Sequence, residues 1–108
     1  MLGTMSRRRL LVTREVATPP YVWVCVKAGV LWSFEQPISD RHTLVLAAER
    51  RQGKNRWAWQ ASLYVTKTAT FVRYLGQSLS AVGNLKQAQA AAEDFAAAWL
   101  HEQTVGGR

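Results

Sequence analysis

No stretch of this chain stays apolar for the ~20 residues that a membrane helix needs. The apolar run Tyr21-Val22-Trp23-Val24-Cys25-Val26, which no other run exceeds, has the length of a strand. A single cysteine excludes a disulfide framework within the chain. Its place in an apolar strand marks Cys25 as a buried small hydrophobe. The two histidines, His42 and His101, lie far apart, and no Cys or His spacing resembles a zinc site. Gly53, Gly76 and Gly83 stand singly as turn residues, so there is no glycine-rich phosphate loop. Acids are scarce, seven against fourteen lysines and arginines, and no two of them are spaced for acid–base work. Ser39, Asp40 and His42 are close in sequence. Neighbouring residues rarely form a triad, so a turn and cap is the expected reading, with a Ser/His/Asp assembly left open. The expectation is a non-enzyme with no metal and no cofactor.

What is present is positive charge. The net charge is +7 in a chain of 108 residues, enough for one domain and one core. A balance this basic points to a polyanion or an acidic protein surface. The charge is uneven: four arginines and no acid in residues 1–14, and seven basic residues against Glu49 alone in residues 41–75. The arm Arg7-Arg8-Arg9 precedes an apolar stretch that ends at Val12, with Arg14 following. That stretch is shorter than the ~7–15 residues of a secretory h-region, so a cytoplasmic protein is expected.

Residues 1–20 read as a basic flexible arm and linker, closed by Thr18-Pro19-Pro20. Residues 21–103 read as one α+β domain, and 104–108 as a frayed tail. Aromatic and β-branched residues in 21–27 and 30–35, with Ala28-Gly29 between, predict a β-hairpin. Residues 41–51 are ambiguous: Ser39 or Asp40 can cap a helix, but Thr43-Leu44-Val45-Leu46 suits a buried strand, which is the favoured reading. In 56–65, Trp57, Trp59, Ala61 and Leu63 share one face, and Ala58, Gln60, Ser62 and Tyr64 the other. Thr70–Leu75 is the next strand, ended by Gly76. The stripe Leu85, Ala88, Ala92, Phe95, Trp99 predicts a helix capped by Asn84 and Gln87. The fold class is therefore α+β: an antiparallel sheet, made of an N-terminal hairpin and a three-stranded meander, packed on one C-terminal helix.

Three short motifs stand in order along the chain: Arg56-Trp57-Ala58-Trp59-Gln60-Ala61, then Arg73-Tyr74-Leu75-Gly76, then the alanine-rich run from Asn84 to Ala98. Over residues 44–100 they resemble the AP2-type DNA-binding domain and the related arm-binding domains of phage integrases. The resemblance implies a three-stranded sheet on a C-terminal helix, DNA as ligand, and a phage or mobile-element regulator. In that family the outward sheet face carries arginine and tryptophan. Here the outward positions are Ala58, Gln60, Ser62, Tyr64, Val72 and Tyr74, so what carries over is architecture rather than base reading. Arg73 would face the helix unless the register shifts by one residue.

Two functions of different class follow. The first is a small nucleic-acid-binding protein, for DNA ahead of RNA. Phosphate contacts would come from the hairpin Arg50, Arg51, Lys54, Asn55 and Arg56, from Lys67 and Arg73, and from the arm Arg7, Arg8 and Arg9, with Tyr64 and Tyr74 as exposed aromatics. Trp57 and Trp59, on the helix side, are expected in the core. The second is a protein-interaction module, which includes an inhibitor of a nucleic-acid enzyme. It would use an aromatic sheet face or a homodimer interface, and its positive charge would select an acidic partner. The bland alternatives are a solvated basic loop and a soluble basic end.

Overall fold

The computed structural model describes residues 12–51, 56–78, 80–81 and 83–105. Five strands, β1 (Val24–Lys27), β2 (Leu31–Pro37), β3 (His42–Arg50), β4 (Trp57–Val65) and β5 (Thr70–Gln77), precede one helix, α1 (Leu85–Val105). The strands form one antiparallel sheet in sequence order. The expected hairpin and meander are thus continuous, because β2 pairs with β3 from Leu31↔Glu49 to Pro37↔Thr43. Gly29 (φ 73°) makes the β1–β2 turn, a conformation that costs glycine little.

Residues 42–50 are a strand, as favoured. Their burial alternates: Leu44, Leu46 and Ala48 face the helix, fully buried, opposite Leu63, Ala61 and Trp59 of β4. Burying Leu44 and Leu46 contributes about 1.5–3 kcal/mol each. The helix closes on this face through Ala88, Ala92 and Ala96, all without exposed surface, and Leu100. The buried stripe therefore runs through 88, 92, 96 and 100, while the expected Phe95 and Trp99 are only partly buried at its flank. Small alanines let the helix axis approach the sheet. Gly76 leaves no room for a side chain beneath the helix, since a Cβ there would lie 2.5 Å from Phe95 Cε2. The helix start is the expected reciprocal cap: Gln87 N donates to Asn84 Oδ1 at 2.8 Å, and Asn84 N to Gln87 Oε1 at 3.1 Å.

Trp57 is buried, and Trp59 packs on Phe95 with ring centroids 5.5 Å apart, so both belong to the core as expected. Cys25 does not: it is exposed. The helix lies over β3 and β4, and β1 is an edge strand with all four residues exposed, so an apolar run there has nothing to bury it.

Of the stretch expected as arm and linker, residues 1–11 lie outside the described residues. Residues 12–20 lie along the domain. Val12 is buried, Thr13 N and Arg14 N donate to Ile38 O at 2.7 and 3.1 Å, and Arg14 pairs with Asp40 at 2.9 Å. Tyr21 then stacks on Phe34, with centroids 4.2 Å apart.

Candidate functional site

The sheet face opposite the helix is open among the described residues, and its composition follows from strand alternation. Pairing aligns its side chains in rows across the strands. One row is Glu35, Val45, Ser62, Tyr74; the next is Pro37, Thr43, Tyr64, Phe71; a third is Val24, Ser33, Ala47, Gln60, Gln77. Small residues occupy the middle, carboxylates lie toward β2 and β3, and aromatics line the β4–β5 side. With strands about 4.8 Å apart, Glu35 and Tyr74 are roughly 14 Å from each other across the sheet.

The aromatic side is a contiguous cluster. Tyr64 meets Phe71 edge-on at 5.6 Å between centroids, and Phe71 meets Tyr74 at 4.8 Å. Phe71 is 44% and Tyr74 56% exposed, while Tyr64 is partly buried. Phe71 was not among the expected residues. Strict alternation places Val72 on the open face beside Tyr74. Two register shifts in the β4–β5 pairing leave Leu75 and Val72 as extra residues, so that Tyr74 opposes Ser62 and Phe71 opposes Tyr64. A bulge reverses which residues share a face, and nothing in residues 70–77 announces one. The register leaves Arg73 opposite Leu63, on the helix side of the sheet. Arg73 is nonetheless exposed, because β5 is an edge strand.

Apart from Arg73 on the β5 edge, the expected basic residues that are described fall at the two ends of the sheet. Arg50, Arg51 and Arg56 form the exposed stem of the β3–β4 hairpin, where Arg51 N donates to Arg56 O at 2.8 Å. Lys54, Asn55 and Arg7, Arg8 and Arg9 lie outside the described residues. Lys67 is exposed in the β4–β5 turn at the opposite end. Arg41, not singled out in the sequence, is there as well: its carbonyl accepts from Thr66 N at 2.8 Å. The hairpin and Lys67 are thus separated by the length of β4, about 30 Å for nine residues. All seven acids fall within the described residues, so Arg7, Arg8, Arg9, Lys54 and Arg108 hold five of the seven net positive charges.

Two hollows mark the open face. One, of about 260 Å³, is lined by Glu35, Thr43, Val45, Tyr64 and Thr66 at the Lys67 end. The other, of about 220 Å³, is lined by Ala47, Glu49, Arg51, Ala58 and Gln60 at the hairpin end. The middle of the open face therefore carries Glu35 and Glu49, and a basic side chain, Arg51, enters only at its hairpin end.

Ser39, Asp40 and His42 act locally. Ser39 Oγ accepts from the amides of Arg41 and His42 at 3.2 and 3.0 Å, which is the turn into β3, and Asp40 is held by Arg14. Among the described residues no helix is long and apolar enough to cross a membrane. On the helix side, burial and the nearby Glu93 carboxylate raise the Tyr21 phenol above its ordinary value. The chain matches no protein-family model, no curated protein and no solved structure.

Proposed function

We propose that the protein binds nucleic acid across the open face of its sheet, and that the bound form is a single-stranded segment. The observation that carries this reading is the exposed cluster of Tyr64, Phe71 and Tyr74 on the sheet, with cations at either end of the same strands. Unpaired bases stack on aromatic faces whatever their sequence, and basic side chains hold the backbone between them. A duplex hides its base faces, so the aromatic cluster would have no role there. Lys67 and Arg41 would take phosphates at one end, and Arg51 and Arg56 at the other. The remaining cations, Lys54 and Arg7, Arg8 and Arg9, would add sequence-independent attraction. The arrangement favours stacking over major-groove base reading, because the outward strand positions are aromatic, small or acidic and carry no arginine.

Fluorescence anisotropy of labelled single-stranded DNA, RNA and duplex DNA at several salt concentrations tests this. The expected result is submicromolar binding to single strands that weakens steeply with salt, weaker duplex binding, and loss of affinity when Tyr64 or Tyr74 becomes alanine. Absence of binding to all three at low salt would overturn it.

A second reading has its own observation. Both edge strands expose apolar side chains, Val24 at 61% and Val26 at 57% in β1, with Val22 at 83% just before it, and Phe71 and Val72 in β5. Edges of this kind pair with other strands, so the alternative is a protein-interaction module or homodimer built through an edge. Light scattering on the purified protein separates a monomer from a concentration-dependent dimer.

A further inference from the structure

We propose that the open-face hollow at Glu35 is a base-binding pocket that selects guanine. This assignment rests on the nucleic-acid reading above and adds a specificity to it. The hollow, about 260 Å³, lies at the Arg41 and Lys67 end of the sheet. Glu35 enters it from β2, opposite Val45, and Tyr64 forms the wall toward the aromatic cluster. Glu35 has no ion-pair partner among the described residues. A bare carboxylate on a face that meets a polyanion repels phosphate. It is useful there only as an acceptor for hydrogen-bond donors on a base.

The chemistry of the four base edges then decides between ligands. A carboxylate is acceptor-only, with two oxygens side by side. Guanine alone presents two adjacent donors, N1–H and the N2 amino group, on its Watson–Crick edge. Cytosine and adenine each set one amino group beside a ring nitrogen lone pair, which the carboxylate repels. Thymine and uracil set one N–H between two carbonyl oxygens, repelled on both sides. The third guanine group, the O6 acceptor, also has a match. Thr43 Oγ1 and Thr66 Oγ1 are hydrogen-bonded to each other at 2.7 Å, and both residues line the hollow. Two hydroxyls have two protons and their mutual bond uses one, so one remains to donate. Tyr64 beside them offers a ring for the base to lie against, and Lys67 and Arg41 stand where the flanking phosphates would pass.

The test uses the full chain and three labelled strands in anisotropy: a short oligothymidine, the same strand with one central guanine, and the same strand with hypoxanthine there, which lacks only the N2 amino group. The guanine strand is expected to bind roughly 10-fold tighter than oligothymidine, the scale of one good bidentate base contact. Hypoxanthine should lose most of that gain. In Glu35→Gln the ratio of guanine-strand to oligothymidine affinity should fall to about one, because one acceptor oxygen is replaced by a donor, while loss of the negative charge raises the affinity of both strands. Glu35 is exposed, so the substitution leaves the core intact, and circular dichroism checks this. Equal affinity for the guanine and thymine strands, or a preference that survives Glu35→Gln, overturns the guanine assignment and leaves the nucleic-acid reading standing. Failure of every strand to bind overturns both.

Discussion

Trp23 Nε1 donates to Glu93 Oε2 at 2.8 Å, joining the segment before β1 to the middle of α1 across 70 residues of sequence. The same oxygen accepts from Tyr21 N at 3.1 Å, so one partly buried carboxylate anchors two donors. Removing it leaves an indole N–H and a backbone N–H unsatisfied beside the core. Glu93→Ala is expected to destabilise the fold by about 1.5–3 kcal/mol, the range for hydrogen bonds to a charged group. Glu93→Gln, which keeps one acceptor oxygen, should cost less. Urea unfolding followed by tryptophan fluorescence measures both, and a cost near zero for alanine would show the anchor to be dispensable.

The Tyr21 hydroxyl gives the opposite case. It is buried with no hydrogen-bond partner among the described residues, and its ring stacks on Phe34. Tyr21→Phe keeps the stack and removes an unsatisfied polar atom, so stability at neutral pH should hold or rise by up to about 1 kcal/mol. The pH dependence has a definite sign. Burial first, and the Glu93 charge second, raise the folded-state pKa above the ordinary value of 10.0. The folded state therefore favours the neutral phenol. Stability from this group is unaffected below pH 10 and declines above it, where the unfolded chain ionises first. Denaturant midpoints from pH 8 to pH 11 should fall more in the wild type than in Tyr21→Phe. Parallel curves would refute the effect.

Much of this architecture can be read from the residues. Trp57, Trp59, Ala61 and Leu63 alternate with Ala58, Gln60, Ser62 and Tyr64, and that period of two assigns the faces of β4 correctly. Asn84 and Gln87 announce the helix start. Three features are not legible, for separate reasons. The exposure of Cys25 depends on how far the helix reaches across the sheet, a tertiary fact. The placement of Phe71 depends on bulges in β5, which break the alternation without a sequence marker. Glu35 and Arg41 gain interest only through the register, which sets them near Tyr64 and Thr66 although they are distant in sequence. A reading of charge runs and exposed aromatics picks out Arg50, Arg51 and Lys67 and passes over Glu35 and Arg41.

Gly76 lies beneath the Phe95 ring, which is itself packed on Trp59. A methyl group at position 76 would meet Phe95 Cε2 and Cζ at 2.5 and 2.6 Å, so the ring must move. Gly76→Ala is expected to cost about 1–3 kcal/mol as overpacking. The cause can be isolated by a double-mutant cycle: in a Phe95→Ala background the same substitution should cost much less, giving a coupling of about 1 kcal/mol or more. Equal costs in both backgrounds would place the effect in the β5 backbone instead.

Charge and stacking at the open face make separable contributions to the proposed binding. Each phosphate contact by a cation releases counterions, so it appears in the slope of log affinity against log salt, by about 0.7 per contact on a single strand. A stacked base contributes without ion release, about 1–3 kcal/mol per aromatic removed. Arg51→Ala and Arg56→Ala at the hairpin stem should therefore flatten the salt dependence and lower affinity most at low salt. Tyr74→Ala should weaken binding at every salt concentration and leave the slope unchanged. Tyr74 is 56% exposed, so its truncation leaves the fold intact. Anisotropy titrations of single-stranded DNA across a salt series distinguish the two patterns. If Tyr74→Ala altered only the slope, or had no effect at all, the aromatic cluster would not be where the bases lie. The basic ends of the sheet would then have to account for the binding alone.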